Sequence, residues 1–226
     1  ADGGASSTDP ITVPWETGFE NGPCDYYKVG GFCYRFPPIN FRLVDWPVHS
    51  GRYAAEITAV TRTDGGDQPQ ARCVRQGVLP VEAYYGAWYL VPKATTVLRT
   101  TAGDPGLWNL FHFGGGNTST WDVSLVNGPT GDLNLHLYQF SPGTAQGDSP
   151  PIPIGRWFHV VLYLKRAKDA TGAVALYLDD EKVVEFTNLV TDSTDSGQWY
   201  VGNLASATDP PDCTVYLDDI SIRQAL

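Results

Sequence analysis

With 226 residues and 42% hydrophobic residues, the chain is long enough to bury the core of one large all-β domain or two small ones. Its net charge of −10 disfavours nucleic acid, anionic membranes and, unless the few basic residues cluster in one groove, a polyanionic ligand. No apolar run reaches the length of a membrane span. The chain begins at Ala1 and contains no methionine, so we expect a secreted protein whose signal peptide has been removed.

The first residues are small and polar, so we expect residues 1–10 to form a flexible N-terminal segment. Residues 11–226 are expected to form a single domain. Its first element, Ile11–Glu20, is predicted to be an edge strand, because Pro14 has no N–H group to donate inside a sheet.

Four cysteines in a chain that we expect to be secreted predict two disulfides. The simplest pairing joins Cys24 to Cys33 and Cys73 to Cys213, although four cysteines allow three pairings. A zinc site is disfavoured, because no histidine lies near Cys73 or Cys213 in the sequence.

Short segments of alternating apolar and polar residues follow one another along the chain. Glycines and prolines separate them, which is typical of strands joined by tight turns. This pattern predicts an all-β fold, a two-sheet antiparallel β-sandwich of the jelly-roll type. The predicted strands lie within Arg52–Val60, Ala71–Val78, Tyr84–Val91, Leu107–Phe113, Trp121–Val126, Leu133–Phe140, Arg156–Phe186, Trp199–Val201 and Thr214–Ile222.

The segment Arg156–Phe186 is predicted to contain three consecutive strands. Aliphatic side chains occupy one face of this unit, and we expect that face to pack against a second sheet. The opposite face is expected to carry Trp157, His159, Tyr163 and Tyr177. Alternation in their own strands leads us to expect that His112, His136 and Tyr138 continue the same aromatic groove.

Several phrases together resemble the concanavalin A-like lectin/glucanase superfamily, most of all its polysaccharide-lyase and laminin-G-like branches. The resemblance runs over roughly residues 15–222 and implies a jelly-roll sandwich. The phrases are ETGFENG, HSGRYAAEI, EAYYGAWYLVP, GRWFHVVLYLKR, ALYLDDEKVVEF and VYLDDISI.

The resemblance also implies a structural calcium ion that ties the first strand to the last. Many such sandwiches bind one ion through an early F-E-x-G phrase, the backbone before an S-G-x-Y-A strand and an aspartate of the last strand. Calcium needs six or more oxygen ligands, which carboxylates and carbonyls from distant strands can supply. The matching positions here are Glu20, Ser50, Gly51, Asp218 and Asp219.

A lyase that cleaves a uronic-acid polymer neutralises the substrate carboxylate, removes the adjacent proton and protonates the leaving oxygen. The resemblance implies Arg, Gln or Asn for the first task and His or Tyr for the others. Candidates here are Arg72, His112, His136 and Tyr138. Two lyase motifs, R-x-E-x-R and Q-x-H, are absent from the sequence, and Arg72 and Arg75 are expected on opposite faces of one strand.

A lectin-like domain that binds a polysaccharide requires only aromatic rings and polar groups, and it is the function we predict from the sequence. Lyase activity is the first alternative, and a calcium-stabilised protein that assembles into filaments is the second. The E-x-D-x-x-E motif of a glucanase is absent from the sequence. The predicted sugar-binding residues are Trp88, Trp108, Trp157, His159, Tyr163 and Tyr177.

Overall fold

A computed structural model describes residues 10–62, 68–99, 106–115, 118–140, 143, 145–192 and 197–226. Except for Pro10, the predicted flexible N-terminal segment lies outside these residues. Among these residues, one short helix, α1 (Cys24–Tyr27), accompanies the strands. The strands are β1 Trp15–Thr17, β2 Phe32–Phe36, β3 Ile39–Val44, β4 Ala54–Val60, β5 Gln70–Gly77, β6 Glu82–Leu90, β7 Thr96–Val97, β8 Trp108–Gly115, β9 Thr118–Asn127, β10 Leu133–Gln139, β11 Gln146–Pro151, β12 Trp157–Lys165, β13 Gly172–Leu178, β14 Glu181–Leu189, β15 Gly197–Ala205, β16 Thr208–Asp209 and β17 Asp212–Arg223.

Two large antiparallel sheets form a sandwich, as predicted for a jelly roll. The eight-stranded sheet has the order β14-β13-β12-β6-β17-β4-β3, and β1 pairs with the far end of β17. The seven-stranded sheet has the order β11-β10-β9-β8-β15-β5-β2. A small sheet of β7 and β16 lies outside both. No helix in the described part of the chain is long and apolar enough to cross a membrane.

The inner faces of the two sheets bury one apolar core. Period-two alternation places Phe158, Val160 and Leu162 in it from the eight-stranded sheet, and Val123 and Leu135 from the seven-stranded sheet. Each of these side chains is fully buried or nearly so, which stabilises the fold by about 1.5–3 kcal/mol per large side chain. The outer faces of both sheets are therefore left to polar and half-buried aromatic side chains.

The three strands predicted within Arg156–Phe186 are confirmed as β12, β13 and β14. Leu162 lies opposite Leu176, which lies opposite Val184, so the apolar residues of the three strands are in register. Asp179 and Asp180 both have positive φ values, 51° and 65°, as a tight two-residue hairpin turn requires. The Asp-Asp-Glu phrase is therefore a turn.

The predicted disulfide pairing is wrong. Cys33 of β2 lies directly opposite Cys73 of β5, with their Cα atoms 4.0 Å apart, and the two form a disulfide. Cys24 is a free, exposed cysteine in α1, and Cys213 is a free, buried cysteine in the other sheet. Pairing of β2 with β5 joins segments that are distant in sequence, and the spacing of the cysteines does not reveal it.

Candidate functional site

The outer face of the seven-stranded sheet carries all four predicted lyase residues. In β10, Leu133, Leu135 and Leu137 point into the core, which places His136 and Tyr138 on the outer face as expected. In β8, Phe111 and Phe113 are buried, and His112 between them lies on the same outer face. Arg72 of β5 joins them.

His112 is held in one orientation by its neighbour on the next strand. Its Nδ1 atom lies 2.7 Å from Oδ1 of Asp122, which is its cross-strand partner on β9. A carboxylate at Nδ1 favours the tautomer in which Nδ1 carries the proton and Nε2 is free to accept one. On the other side of His112, Tyr200 of β15 lies opposite, with the two ring centroids 5.2 Å apart.

Arg72 is a buried cation at the floor of this face. It is 6% exposed, and its Nη2 donates to Oδ1 of Asn109 at 2.7 Å. Among the described residues, its Nε has no hydrogen-bond partner and no carboxylate forms an ion pair with it. Burial lowers the pKa of Arg72, while Tyr34 and Asp122 oppose that shift. Because a guanidinium stays charged in proteins, the site is poised to accept an anion.

Two tyrosines lie beside Arg72. Its guanidinium carbon is 5.8 Å from the ring centroid of Tyr200, and Tyr34 lies 6.4 Å from the same ring. The Tyr200 hydroxyl donates to Oε1 of Gln198 at 2.5 Å, and the Tyr34 hydroxyl to Oε1 of Gln70 at 2.9 Å. Burial raises the pKa of Tyr200, with the charge of Arg72 acting in the opposite direction, so Tyr200 remains a phenol at neutral pH.

Further rings extend this face toward both edges of the sheet. Phe140, which is 43% exposed, lies 6.0 Å from His112 and 5.1 Å from Tyr138. At the other edge the exposed Phe36 lies 5.5 Å from Tyr34. These centroid distances describe a row of rings that crosses the strands and could contact the sugar rings of an extended polymer.

His136 and Tyr138 share the face but not the centre. β10 is two strands away from β8, and His136 pairs through Nδ1 with Oδ1 of Asp148 at 2.6 Å. Four residues at the centre of the face were not predicted from the sequence: Tyr34, Asn109, Asp122 and Tyr200. Tyr200 alternates with the buried Trp199 and Val201, and this alternation is the signal that could have found it.

Arg72 and Arg75 lie on opposite faces of β5, as predicted. Arg75 lies 5.0 Å from the ring of Trp15, and its Nη1 donates to the carbonyl of Val29 at 3.1 Å. Only Arg72 therefore belongs to the candidate site.

The prediction of a single aromatic groove is wrong, because the residues expected to line it belong to two different sheets. The strands β6, β12 and β13 lie in the eight-stranded sheet, whereas β8 and β10 lie in the other. The outer faces of the two sheets are opposite surfaces of the sandwich. The residues thereby separated from His112, His136 and Tyr138 are Trp88, Trp157, His159, Tyr163 and Tyr177.

Two of the predicted sugar-binding tryptophans are unavailable for stacking. Trp108 is 0% exposed and donates from Nε1 to Oδ1 of Asn203 inside the core. A bulge after Asn109 shifts the alternation of β8, so Trp108 and His112 lie on different faces. Trp88 is half-buried on the outer face, but His49 stacks on it at 3.8 Å and His159 at 4.8 Å between ring centroids.

The predicted calcium ligands are brought together where the first strand, the last strand and the turn before β4 meet. Oδ2 of Asp218 accepts from the backbone N–H of His49 at 2.9 Å, and Oδ1 of Asp219 accepts from the Ser50 hydroxyl at 2.9 Å. Glu20 lies against Gly51, where a built Cβ would be 2.3 Å from its Oε1. Burial, followed by the charge of Asp219, raises the pKa of Asp218 to about 6.

This donor set fits a hard cation in its chemistry, because every side chain contributes oxygen and two carboxylates are adjacent. Within the described ranges, no three His, Cys, Asp or Glu side chains are grouped so that they alone could hold an ion. Backbone and hydroxyl oxygens near Ser50 and Gly51 would therefore have to complete the coordination.

Comparison with known proteins relates the chain to polysaccharide lyases. Residues 114–221, just under half of the chain, match the family model described as "Polysaccharide lyase". A search of curated proteins finds no match. Among solved structures, the chain resembles endo-beta-1,4-glucuronan lyase from the fungus Trichoderma reesei, with 19% identity and a TM-score of 0.67 over 86% of this chain and 90% of that one.

Two alginate lyases have similar folds. The enzyme vAL-1 from Chlorella virus has 11% identity and a TM-score of 0.60, covering 92% of this chain and 98% of its own. The marine enzyme from Aplysia kurodai has 13% identity and a TM-score of 0.57, covering 94% and 99%. The chain therefore has a jelly-roll sandwich fold like that of these lyases, and its predicted resemblance to polysaccharide lyases is confirmed.

Proposed function

We propose that this protein is a polysaccharide lyase that cleaves a uronic-acid glycan by β-elimination on the outer face of the seven-stranded sheet. One observation carries the proposal: the buried Arg72, which has no carboxylate partner among the described residues, lies beside Tyr200, which in turn faces His112. The lyase family match over residues 114–221 supports it. The arrangement fits the lyase alternative of the sequence analysis better than the lectin-like function that we predicted.

In this reaction Arg72 binds the substrate carboxylate. Its unpaired Nε and its charge, set in a buried environment, favour the extra negative charge that develops when the carbon next to the carboxylate loses its proton. Asn109 keeps the guanidinium in place through the 2.7 Å hydrogen bond.

His112 acts as the base and Tyr200 as the acid. Nε2 of His112 takes the proton from C5, because Asp122 holds the proton of the ring on Nδ1. The Tyr200 phenol gives its proton to the glycosidic oxygen as the C4–O bond breaks and a C4=C5 double bond forms. The imidazolium of His112 then passes the captured proton to the phenolate of Tyr200, which restores both groups. The centroids of the two rings lie 5.2 Å apart.

An acidic substrate is compatible with the net charge of −10, because the cation needed lies in the groove itself. Glucuronan and alginate are the first polymers to test, since structural neighbours are described as lyases of these two. Mass spectrometry of the products distinguishes the mechanisms: elimination yields fragments lighter by one water than hydrolysis. Hydrolytic fragments alone, or no cleavage of any polyuronate, would refute the proposal.

We also propose one structural calcium ion at the cluster of Glu20, Ser50, Gly51, Asp218 and Asp219. The adjacent carboxylates of Asp218 and Asp219 support it, since a buried Asp218 beside the charge of Asp219 is costly without a cation. The ion would link β17 to the turn before β4 and has no part in the elimination.

Secretion is likewise a proposal, supported by the Cys33–Cys73 disulfide, since such bonds persist in oxidising compartments. Self-assembly into filaments stays a prediction of the sequence.

A further inference from the structure

The outer face of the eight-stranded sheet carries a cleft that the proposed elimination does not use. Two adjoining cavities of about 540 and 230 Å³ share Trp88, His159, Ser221 and Arg223. Small-molecule sites in proteins span about 300–1,000 Å³. The cleft lies on the surface opposite the groove of Arg72 and His112, so it is separate from that groove. One end of its larger cavity is formed by the residues of the proposed calcium site, and the inference below concerns the part around Gly86, His159 and Ser221.

A glycine forms the floor of the smaller cavity. Gly86 lies opposite Ser221 of β17 on one side and opposite Val161 of β12 on the other. A Cβ built on Gly86 would be 3.0 Å from Nε2 of His159 and 3.4 Å from Oγ of Ser221. The missing side chain therefore opens the cavity down to two hydrogen-bonding atoms.

Neither of these atoms has a hydrogen-bond partner among the residues that the structure describes. Ser221 is 7% exposed and lines both cavities, and its hydroxyl makes no hydrogen bond within the described part of the chain. His159 is fixed by a 2.8 Å contact from Nδ1 to Oδ1 of Asp180 and by stacking on Trp88, which leaves Nε2 to the cleft. Both atoms face the open cleft, where the hydroxyl groups of a ligand can form hydrogen bonds with them.

The charge of the cleft selects against an acidic polymer. Arg223 is the one cationic side chain among the described lining residues, and its Nη2 lies 3.3 Å from Oε2 of Glu16. Carboxylates exceed it in number and would repel a polyuronate. Outside the proposed calcium site they are Glu16, Asp25 and Asp180.

We propose that this cleft binds a neutral, hydroxyl-rich glycan. Carboxylates accept hydrogen bonds from sugar hydroxyls. The Ser221 hydroxyl can donate or accept one, and Nε2 of His159, whose Nδ1 faces Asp180, can accept one. Tyr84 and the edge of Trp88 form an apolar wall of the cleft beside these polar groups. The protein would thus bind one class of glycan on the eight-stranded sheet and an acidic one on the opposite sheet.

Affinity electrophoresis in gels containing galactomannan or hydroxyethylcellulose, both neutral, tests the proposal. Gly86→Ala fills the floor, and Ser221→Ala removes the free hydroxyl. Tyr163→Phe is the matched control, because it removes a hydroxyl of the same sheet face that pairs with Glu82 outside the cleft. We expect retardation of the wild type and the control by at least one neutral polymer, and affinities about 5- to 10-fold lower for the two cleft variants.

Three results would overturn the proposal: retardation of the wild type by neither neutral polymer, retardation only by glucuronan or by the cationic polymer chitosan, or retardation of both cleft variants equal to that of the wild type. If the cleft variants fail to fold, a measurement on the wild type still tests the proposal. Diethyl pyrocarbonate modifies free imidazole nitrogens, and oligosaccharides of the retained polymer should protect His159 but not His136 on the opposite surface. Equal modification of His159 with and without the oligosaccharide would also overturn it.

Discussion

Nδ1 of His112 lies 2.7 Å from Oδ1 of Asp122 on the neighbouring strand. The other three of the four histidines are paired in the same way: His49 with Asp219, His136 with Asp148 and His159 with Asp180. Pairing with an aspartate therefore does not by itself mark a catalytic histidine. What distinguishes His112 is its position one strand from Tyr200, which itself lies beside the buried Arg72.

Removal of the imidazole should slow the elimination step. We expect His112→Ala to lower kcat by about 10²–10⁴-fold, the usual contribution of a general base. Asp122→Asn should lower kcat by a smaller factor, because the imidazole remains but its tautomer is no longer fixed. His136→Ala is the matched control, since it removes an equally paired histidine two strands away. An equal loss of kcat in the control would contradict the assignment.

Replacement of Arg72 should separate activity from stability. A buried cation without a carboxylate partner costs free energy of folding, so Arg72→Met is expected to keep the Tm of the wild type or raise it. The same change should reduce kcat/KM on a polyuronate by at least about 100-fold, because a charge-assisted contact to the substrate carboxylate is lost. Thermal unfolding and initial rates measure the two effects. Full activity on the polyuronate would show that Arg72 does not bind the substrate.

The disulfide between Cys33 and Cys73 can be tested without an activity assay. Loss of the Cys33–Cys73 bond in a Cys33→Ala variant should lower the free energy of unfolding by about 2–4 kcal/mol. Thiol titration of the wild type should find Cys24 reactive in the folded protein and Cys213 only after unfolding, because burial also raises the pKa of Cys213 to about 12. Protection of Cys24 from the reagent would support the pairing of Cys24 with Cys33 instead.

The proposed calcium site predicts a shift in thermal stability. Adding calcium to chelator-treated protein at about 100 times its Kd should stabilise the fold by about 2.7 kcal/mol. Asp218→Asn should remove this response, whereas Asp180→Asn, which changes a carboxylate in the turn between β13 and β14, should keep it. If calcium leaves the Tm of the wild type unchanged, the proposed calcium site is refuted.

Local alternation predicts much of the fold. Leu133, Leu135 and Leu137 are apolar at every second position, which correctly places them in the core and His136 outside. The strands of Arg156–Phe186 follow from the same pattern because consecutive strands pair as hairpins.

The rest of the fold depends on pairing between strands that are distant in sequence. The local pattern of apolar and polar residues does not show which strands pair. Nothing near His112 or His159 in the sequence shows that β8 and β12 enter different sheets. The partner of Cys33 depends on β2 lying beside β5, and the burial of Trp108 depends on a bulge after Asn109. Tyr200 and Asp122 enter the candidate site only through such pairings.

The most direct measurement follows the absorbance of unsaturated uronate at the new chain end during incubation with glucuronan or alginate. The wild type is expected to produce a steady rise with at least one of these polymers. Tyr200→Phe, which removes only the phenolic proton donor, should lower the rate by about 10²-fold or more. Tyr163→Phe, on the opposite sheet, should leave it unchanged. No rise with the wild type on either polymer, or a rate for Tyr200→Phe equal to that of the wild type, would contradict the proposed elimination.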